Sequence, residues 1–371
     1  MFELTNEQRI CFALRAVDKR WKRIEAKPSP YDDFKTYLYI DGDRVVKCIM
    51  CSAHRYGELE FNEQLSADGK YILPKTNRGK PVLLSSATIL KRTAVGMSLN
   101  YINDYISLCG DNYYLTYYSN NYDDSHITDI GGFARWVEQW CSETTPQDIE
   151  DVNRFAQQKR SHVRFKEGDV FRFKIGRRLY GYGRILLDYD RMRREHVPFW
   201  DILMTKPVLC SVYHIVTERA DVAVEELRKL MSLPSIVIAD EELYYGSYSI
   251  IGNLPVTDNE DYPIMYGKSI DVRENAVCYQ CGKTYRKIVN GTLLYPGFTN
   301  NSVWRSMPIL LRVLQQCIDA HSNAPYWSSY YPACVSDDLR APQHSDKLRA
   351  IRRQFGLNDD GSQPDAGGGA H

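Results

Sequence analysis

The sequence predicts an α+β protein that is β-rich, with antiparallel, strongly bent sheets, flanking helices and two abutting lobes. Two hairpin signals point there: residues 36–40 and 44–50 flank Asp41-Gly42, and residues 170–175 and 179–186 flank Gly176-Arg177-Arg178. The 27 tyrosines favour pleated, half-buried surfaces. Beyond residue 200, strands and a helix alternate with short turns, the order of an α+β domain. A chain of 371 residues exceeds the usual size of one domain.

Taken in order, Thr5 followed by Gln8 forms a capping box opening a short amphipathic helix with Ile10, Phe12, Ala13 and Leu14, and Pro28-Ser29-Pro30 breaks the chain after it. After the first hairpin, strands are expected at 97–102 and 113–119, with turns at Asn103-Asp104 and Asp111-Asn112. Phe133, Trp136, Val137 and Trp140 have helical spacing and are expected in the core. Thr145-Pro146 then starts a second helix through Ile149, Val152, Phe155 and Ala156. The boundary between the lobes is placed near residue 160, giving an N-terminal α+β domain over 1–160 and a second over 161–356. That second domain is expected to hold strands within 203–216, 235–238 and 247–252, a helix over 221–231, a long helix over 309–320, and a final helix capped by Ser345 and stopped at Gly356. Residues 357–371, rich in Gly, Asp and Ser, read as a disordered tail.

Charge is balanced, with 47 basic and 47 acidic residues, so whole-molecule attraction to nucleic acid or acidic membranes is not expected. The N-terminal residues lack a basic and then apolar leader, and no apolar run approaches the length of a membrane span. Ten cysteines dispersed in such a chain fit reduced thiols, so a cytoplasmic location is expected.

The densest stretch is 167–190, EGDVFRFKIGRRLYGYGRILLDYD, in which Val170, Phe171, Phe173 and Ile175 are interleaved with Arg172 and Lys174. Gly181 and Gly183 bracket Tyr182, where glycine in a strand marks a bulge or a close backbone approach. Tyrosine and arginine are the types enriched at interface hot spots. This run, with Phe199-Trp200-Asp201 and the later YGSYSIIG at 245–252, resembles the immunity protein 26 family of bacterial polymorphic-toxin systems, a grouping named jointly with a small phosphotriesterase. The resemblance covers roughly residues 160–265 and implies an antidote that binds and blocks a cognate toxin protein, with no catalytic motif carried over and no cofactor. On that reading the aromatic anchors are Tyr180, Tyr182, Trp200, Tyr244 and Tyr245. Arg184, Asp240, Glu241 and Glu242 then stand at the charged rim.

Two other classes compete. Cys278 and Cys281 have metal-knuckle spacing and could be joined by Cys317 and His321, one helical turn apart; the Cys48 and Cys51 pair lies along a strand, where such spacing points to opposite sides. A metal-dependent phosphotriester hydrolase would want clustered His and carboxylates. The eight histidines form neither HxH nor HExxH. The arginines of 164–194 raise a nucleic-acid binder as a third reading, against interleaved Glu167, Asp169, Asp188 and Asp190. The oligomeric state is not legible.

Overall fold

A computed structural model describes residues 2–122, 126–200, 206–218, 222–257, 260–269, 273–299, 314 and 338–363. The chain divides into two compact units, Met1–His162 with Tyr245–Ser247, and Val163–Tyr244 with Tyr248–His371. Both are strand-rich, and every strand pair is antiparallel among the described residues. Among the described residues no sheet closes into a barrel; each runs open from edge to edge.

In the first unit, α1 (Asn6–Ile10) starts at the expected capping box: the Thr5 hydroxyl accepts from the Gln8 N–H at 3.2 Å and the Gln8 side chain accepts from the Thr5 N–H at 2.9 Å. It ends earlier than its apolar residues imply, because Ala13 adopts a φ of 51°. Strands β1 (Lys22–Glu25), β2 (Lys35–Asp41), β3 (Arg44–Cys51), β4 (Arg55–Gln64), β7 (Val95–Ile102), β8 (Tyr105–Gly110) and β9 (Leu115–Ser119) form one sheet in the order β1-β2-β3-β4-β7-β8-β9. A small ribbon of β5 (Tyr71–Ile72) and β6 (Val82–Leu83), followed by the single turn α2 (Ser86–Ile89), lies between β4 and β7 in sequence. The first hairpin turns on Gly42-Asp43, since Asp41 pairs with Arg44 and Gly42 takes a φ of 60°. Strand β9 begins two residues late because Asp111, Asn112 and Tyr113 all adopt left-handed φ, at 46°, 57° and 70°.

One sheet face packs on α3 (Ile130–Ser142) and α4 (Pro146–Ala156), capped by Asp129 and Thr145. Phe133 stacks on Tyr101 at 5.0 Å, and Trp140 packs against Phe12 and Tyr118. Beneath α1 lies a buried charge cluster. Glu58, fully enclosed, accepts from Arg9 Nε at 2.8 Å and from the Tyr56 hydroxyl at 2.6 Å, and pairs with the enclosed Lys47. Burial alone would raise the Glu58 pKa, but Lys47 and Arg9 hold it below the usual range. The Tyr56 phenol is pushed far up by burial and by this carboxylate.

The second unit holds β10 (Asp169–Lys174), β11 (Leu179–Asp188), α5 (Tyr189–Arg194), β12 (Pro207–Val212), β13 (Thr217–Glu218), α6 (Val224–Leu227), β14 (Ile236–Ala239), α7 (Glu241–Tyr244) and β15 (Ser249–Asn253). Its main sheet runs β14-β12-β11-β10-β15, with β13 on β11. Strands β16 (Ile264–Lys268), β17 (Ala276–Cys281) and β18 (Thr284–Val289) form a separate three-stranded sheet that the sequence reading missed. The final helix, α8 (Ser345–Gln354), packs Ile351 and Phe355 against Tyr266, Tyr279 and their neighbours. The expected helix over 309–320 lies outside the described residues except for Leu314, which is helical and buried. The tail requires correction over 357–363: Leu357 is buried, Arg353 pairs with Asp359 at 2.9 Å, and Asn358 N–H bonds the Ser362 carbonyl. The remainder, 364–371, lies outside the described residues.

Gly181 and Gly183 have a different cause from the one expected. Opposite them across the ladder stand Phe173 and Phe171, and the phenyl rings lie over the glycines. A Cβ at Gly183 would meet Phe171 Cζ at 2.4 Å, and one at Gly181 would meet Phe173 Cζ at 2.6 Å. Tyr248 completes the stack, parallel to Phe171 at 5.6 Å and 5.4 Å from Phe173. The glycines make room for side chains, not for a bulge or another backbone.

Three outcomes follow from these packings. Gly183→Ala overpacks the ring stack and lowers unfolding free energy by about 1–3 kcal/mol in urea denaturation. Gly176→Ala, whose Cβ meets nothing closer than 3.6 Å, is neutral or gains up to about 1 kcal/mol. Glu58→Gln leaves Lys47 and Arg9 buried without their anion and costs about 3–5 kcal/mol. Because the folded pKa of Glu58 is depressed, its contribution is present above the unfolded carboxyl range and lost as pH falls through the folded value. Glu60, raised by burial, acts in the opposite sense, so the measurement is the difference in acid-induced melting between wild type and Glu58→Gln.

Candidate partner-binding surface

Period-two alternation sorts the β10–β11 hairpin into two chemistries. Phe171, Phe173 and Ile175 share one face with the two glycines and join a cluster with Cys210, Val212, Leu233, Ile236 and Leu243. On the other face the register sets Val170 opposite Arg184, Arg172 opposite Tyr182, and Lys174 opposite Tyr180. This second face is tyrosine and cation chemistry over a smaller apolar cluster of Val170, Tyr182, Tyr213, Leu227 and Leu254.

Tyr180 is half-buried and held by two cations. Lys174 Nζ lies 4.9 Å from its ring centroid and 3.5 Å from its hydroxyl, and the Arg172 guanidinium lies 5.7 Å from the same ring. Lys174 Nζ also donates to the Arg177 carbonyl at 2.8 Å, which ties the turn to the strand. Arg172 and Lys174 are side chains that the sequence reading counted only as charge. Their alternation with the phenylalanines was the signal that they share a face with Tyr180.

Three of the expected contact residues are placed otherwise. Tyr182 is fully buried, its hydroxyl 2.7 Å from the Thr217 hydroxyl, so it fastens β13 to the sheet and presents no free ring. Trp200 is 3% exposed within a cluster with Tyr189, Met192, Leu209, Met265 and Cys278, its backbone N–H donating to the Gln280 side-chain oxygen at 2.7 Å. Tyr245 belongs to the first unit, where its ring lies 5.2 Å from Tyr114 and near Arg160, while Tyr244 stays in the second. The neighbouring tyrosines are thus divided between two bodies. Asp201 lies outside the described residues.

Arg184 pairs with Glu260 and donates to the Pro255 carbonyl at 3.3 Å, so its charge is spent within the fold. The acidic segment is better displayed. Glu241 and Glu242 are exposed in the first turn of α7, whose Leu243 is buried on the phenylalanine side of the sheet. Partial burial raises the Asp240 pKa against the opposing pull of Lys206, and Lys206 Nζ lies 6.0 Å from the Tyr244 ring. Through Lys206, which approaches Asp190 at 3.8 Å, this segment adjoins α5.

There the basic run is largely neutralised at home. Arg191 pairs with Glu195 at 2.8 Å, Arg193 with Asp190 at 3.7 Å, and Arg194 with Asp190 and Asp188 at 3.5 and 3.7 Å. Such a surface lacks the single-sign stripe that tracks a phosphate backbone.

The cysteine set also needs correction. Cys278 and Cys281 lie on the regular strand β17, three residues apart, and so face opposite sides: Cys278 packs with Leu186 and Met265, Cys281 with the Tyr266 and Tyr279 cluster. Gly282-Lys283 is the turn to β18, with Gly282 at a φ of 54°. Burial raises both thiols above their usual pKa. Cys317 and His321 lie outside the described residues. Cys48 and Cys51 likewise enter different clusters. Among the described residues, no three His, Cys, Asp or Glu side chains gather in a metal-holding group, and no helix is long and apolar enough to cross a membrane.

No curated protein and no solved structure matches the chain. Residues 166–278, which run from the start of the glycine and phenylalanine hairpin into β17, match the model of one family and are similar to it: Immunity protein 26.

Proposed function

We propose that the chain is an immunity protein that neutralises a cognate bacterial toxin domain by stoichiometric contact, without bond-making chemistry of its own. The observation that carries this reading is the coincidence of the matched segment with the main sheet of the second unit. That sheet displays two chemically distinct features: the cation-flanked Tyr180, and the acidic start of α7 beside Tyr244.

Each feature suits a different part of an interface. A tyrosine already held by Lys174 and Arg172 loses little conformational freedom on docking, and combines apolar area with a hydroxyl, which is the chemistry of an anchor. Glu241 and Glu242, both exposed, suit the rim, where charge steers encounter with a basic partner more than it adds affinity.

The test is co-purification with, and calorimetric titration against, the toxin encoded beside this gene, together with rescue of growth when both are expressed. A one-to-one complex and rescue are expected; absence of both would reject the reading. Tyr180→Ala should weaken the complex at least about tenfold. Charge reversal at Glu241 and Glu242 should slow association and flatten its salt dependence while leaving dissociation nearly unchanged. Tyr182→Phe serves as the contrast: it removes the Thr217 hydrogen bond and costs about 1 kcal/mol of stability with affinity retained.

A further inference from the structure

The first unit contains a cavity of about 720 Å³, outside the matched residues and built at the ends of β1, β2 and β3. Its volume lies in the range of sites that accept ligands or several side chains, roughly 300–1,000 Å³. Phe2, Phe34 and Ile130 supply apolar walls, while Glu25, Asp32 and Asp33 supply carboxylates. Lys35 is the basic residue of the lining, and it approaches Glu25 at 3.7 Å. Asp32 accepts from the Ser29 N–H at 2.9 Å and so stays fixed in the loop. Asp33 is exposed and has no hydrogen-bond or ion-pair partner among the described residues. The lining therefore carries a net charge of two negatives over an apolar base.

The adjoining backbone argues for what fills it. Strand β1 ends the seven-stranded sheet, and among the described residues only β2 pairs with it, so its other edge is the side on which an extended chain adds. Glu25 is the last residue of that strand, and Ala26 continues it by donating to the Thr36 carbonyl at 2.8 Å. Both line the cavity. At the opposite end of the strand, Arg23 is engaged by Glu3 at 3.4 Å and stacks on Tyr37 at 4.1 Å. A small amine would use the carboxylates and leave the strand edge unused. A polypeptide uses both.

We infer that this cavity docks an extended segment of a partner polypeptide that carries lysine or arginine interleaved with apolar residues. The segment adds to the edge of β1, placing apolar side chains against Phe2, Phe34 and Ile130 and a cation between Glu25 and Asp33. This site lies in the other unit from the surface proposed for toxin binding and does not depend on that reading.

The experiment is fluorescence anisotropy of the full-length protein with a labelled nonapeptide that alternates leucine and lysine. Two control peptides replace either every lysine by glutamate or every leucine by serine, and unlabelled spermidine serves as competitor. Saturable binding of the leucine–lysine peptide alone is expected, and spermidine should fail to displace it. The double variant Glu25→Gln with Asp33→Asn, both at exposed positions, should weaken it at least tenfold. Lys35→Glu should tighten it severalfold, a gain that loss of folding cannot mimic. The inference is overturned if no saturable binding occurs, if the serine–lysine peptide binds equally well, if spermidine displaces the peptide, or if the three substitutions leave affinity unchanged.

Discussion

The second unit depends on two phenylalanine rings lying across two glycines. In an antiparallel pair, residues directly opposite share a face, and a side chain at both positions normally fills the space between neighbouring strands. Here β11 gives up its side chains at Gly181 and Gly183, and β10 fills both places with Phe173 and Phe171. Glycine inside a strand weakens it, but the burial of two phenyl rings and their stacking on Tyr248 offsets that loss. The consequence reaches the opposite face. Because the rings hold the hairpin in one register, Arg172, Lys174 and Tyr180 are held together as a group, and a slip by one residue would exchange the two chemistries.

The first unit answers a different problem. A seven-stranded sheet with a short N-terminal helix against it could have been sealed by apolar residues alone, yet Arg9, Lys47, Tyr56 and Glu58 occupy the contact. Buried ion groups of this kind give little net stability, since desolvation cancels much of their attraction. They do fix geometry, because each charge tolerates only the arrangement that satisfies it. Five residues of helix make a weak unit by propensity, and the Arg9 to Glu58 pair is what determines where α1 rests.

Both candidate surfaces use the same economy of charge. In the second unit Arg184 and the three arginines of α5 are matched by nearby acids, which sets the acidic α7 turn and the clamped Tyr180 apart from those surroundings. In the first, the balance is tipped toward carboxylates at one cavity beside a sheet edge. A chain with no net charge thus carries local fields of definite sign, which composition alone conceals.

Local features were legible in the sequence. The Thr5 and Thr145 helix starts, the hairpin at 170–186 and the strand-rich α+β class follow from turn chemistry, capping and period-two alternation, all of which act over a few residues. The face shared by Arg172, Lys174 and Tyr180 also lay in the alternation. What the tertiary structure decided was burial and partnership. Tyr182 and Trp200 read as anchors because their residue types are those of interfaces, but exposure is set by which distant segment covers a strand, here β13 with Thr217 and the strand carrying Gln280. Cys278 and Cys281 had the spacing of a metal knuckle until the pairing of β17 with β16 and β18 turned them to opposite sides. The glycines of β11 were visible from the start, yet their purpose depended on residues across the ladder. Spacing along a chain specifies conformation, whereas the identity of a neighbour arises only when remote strands are brought side by side.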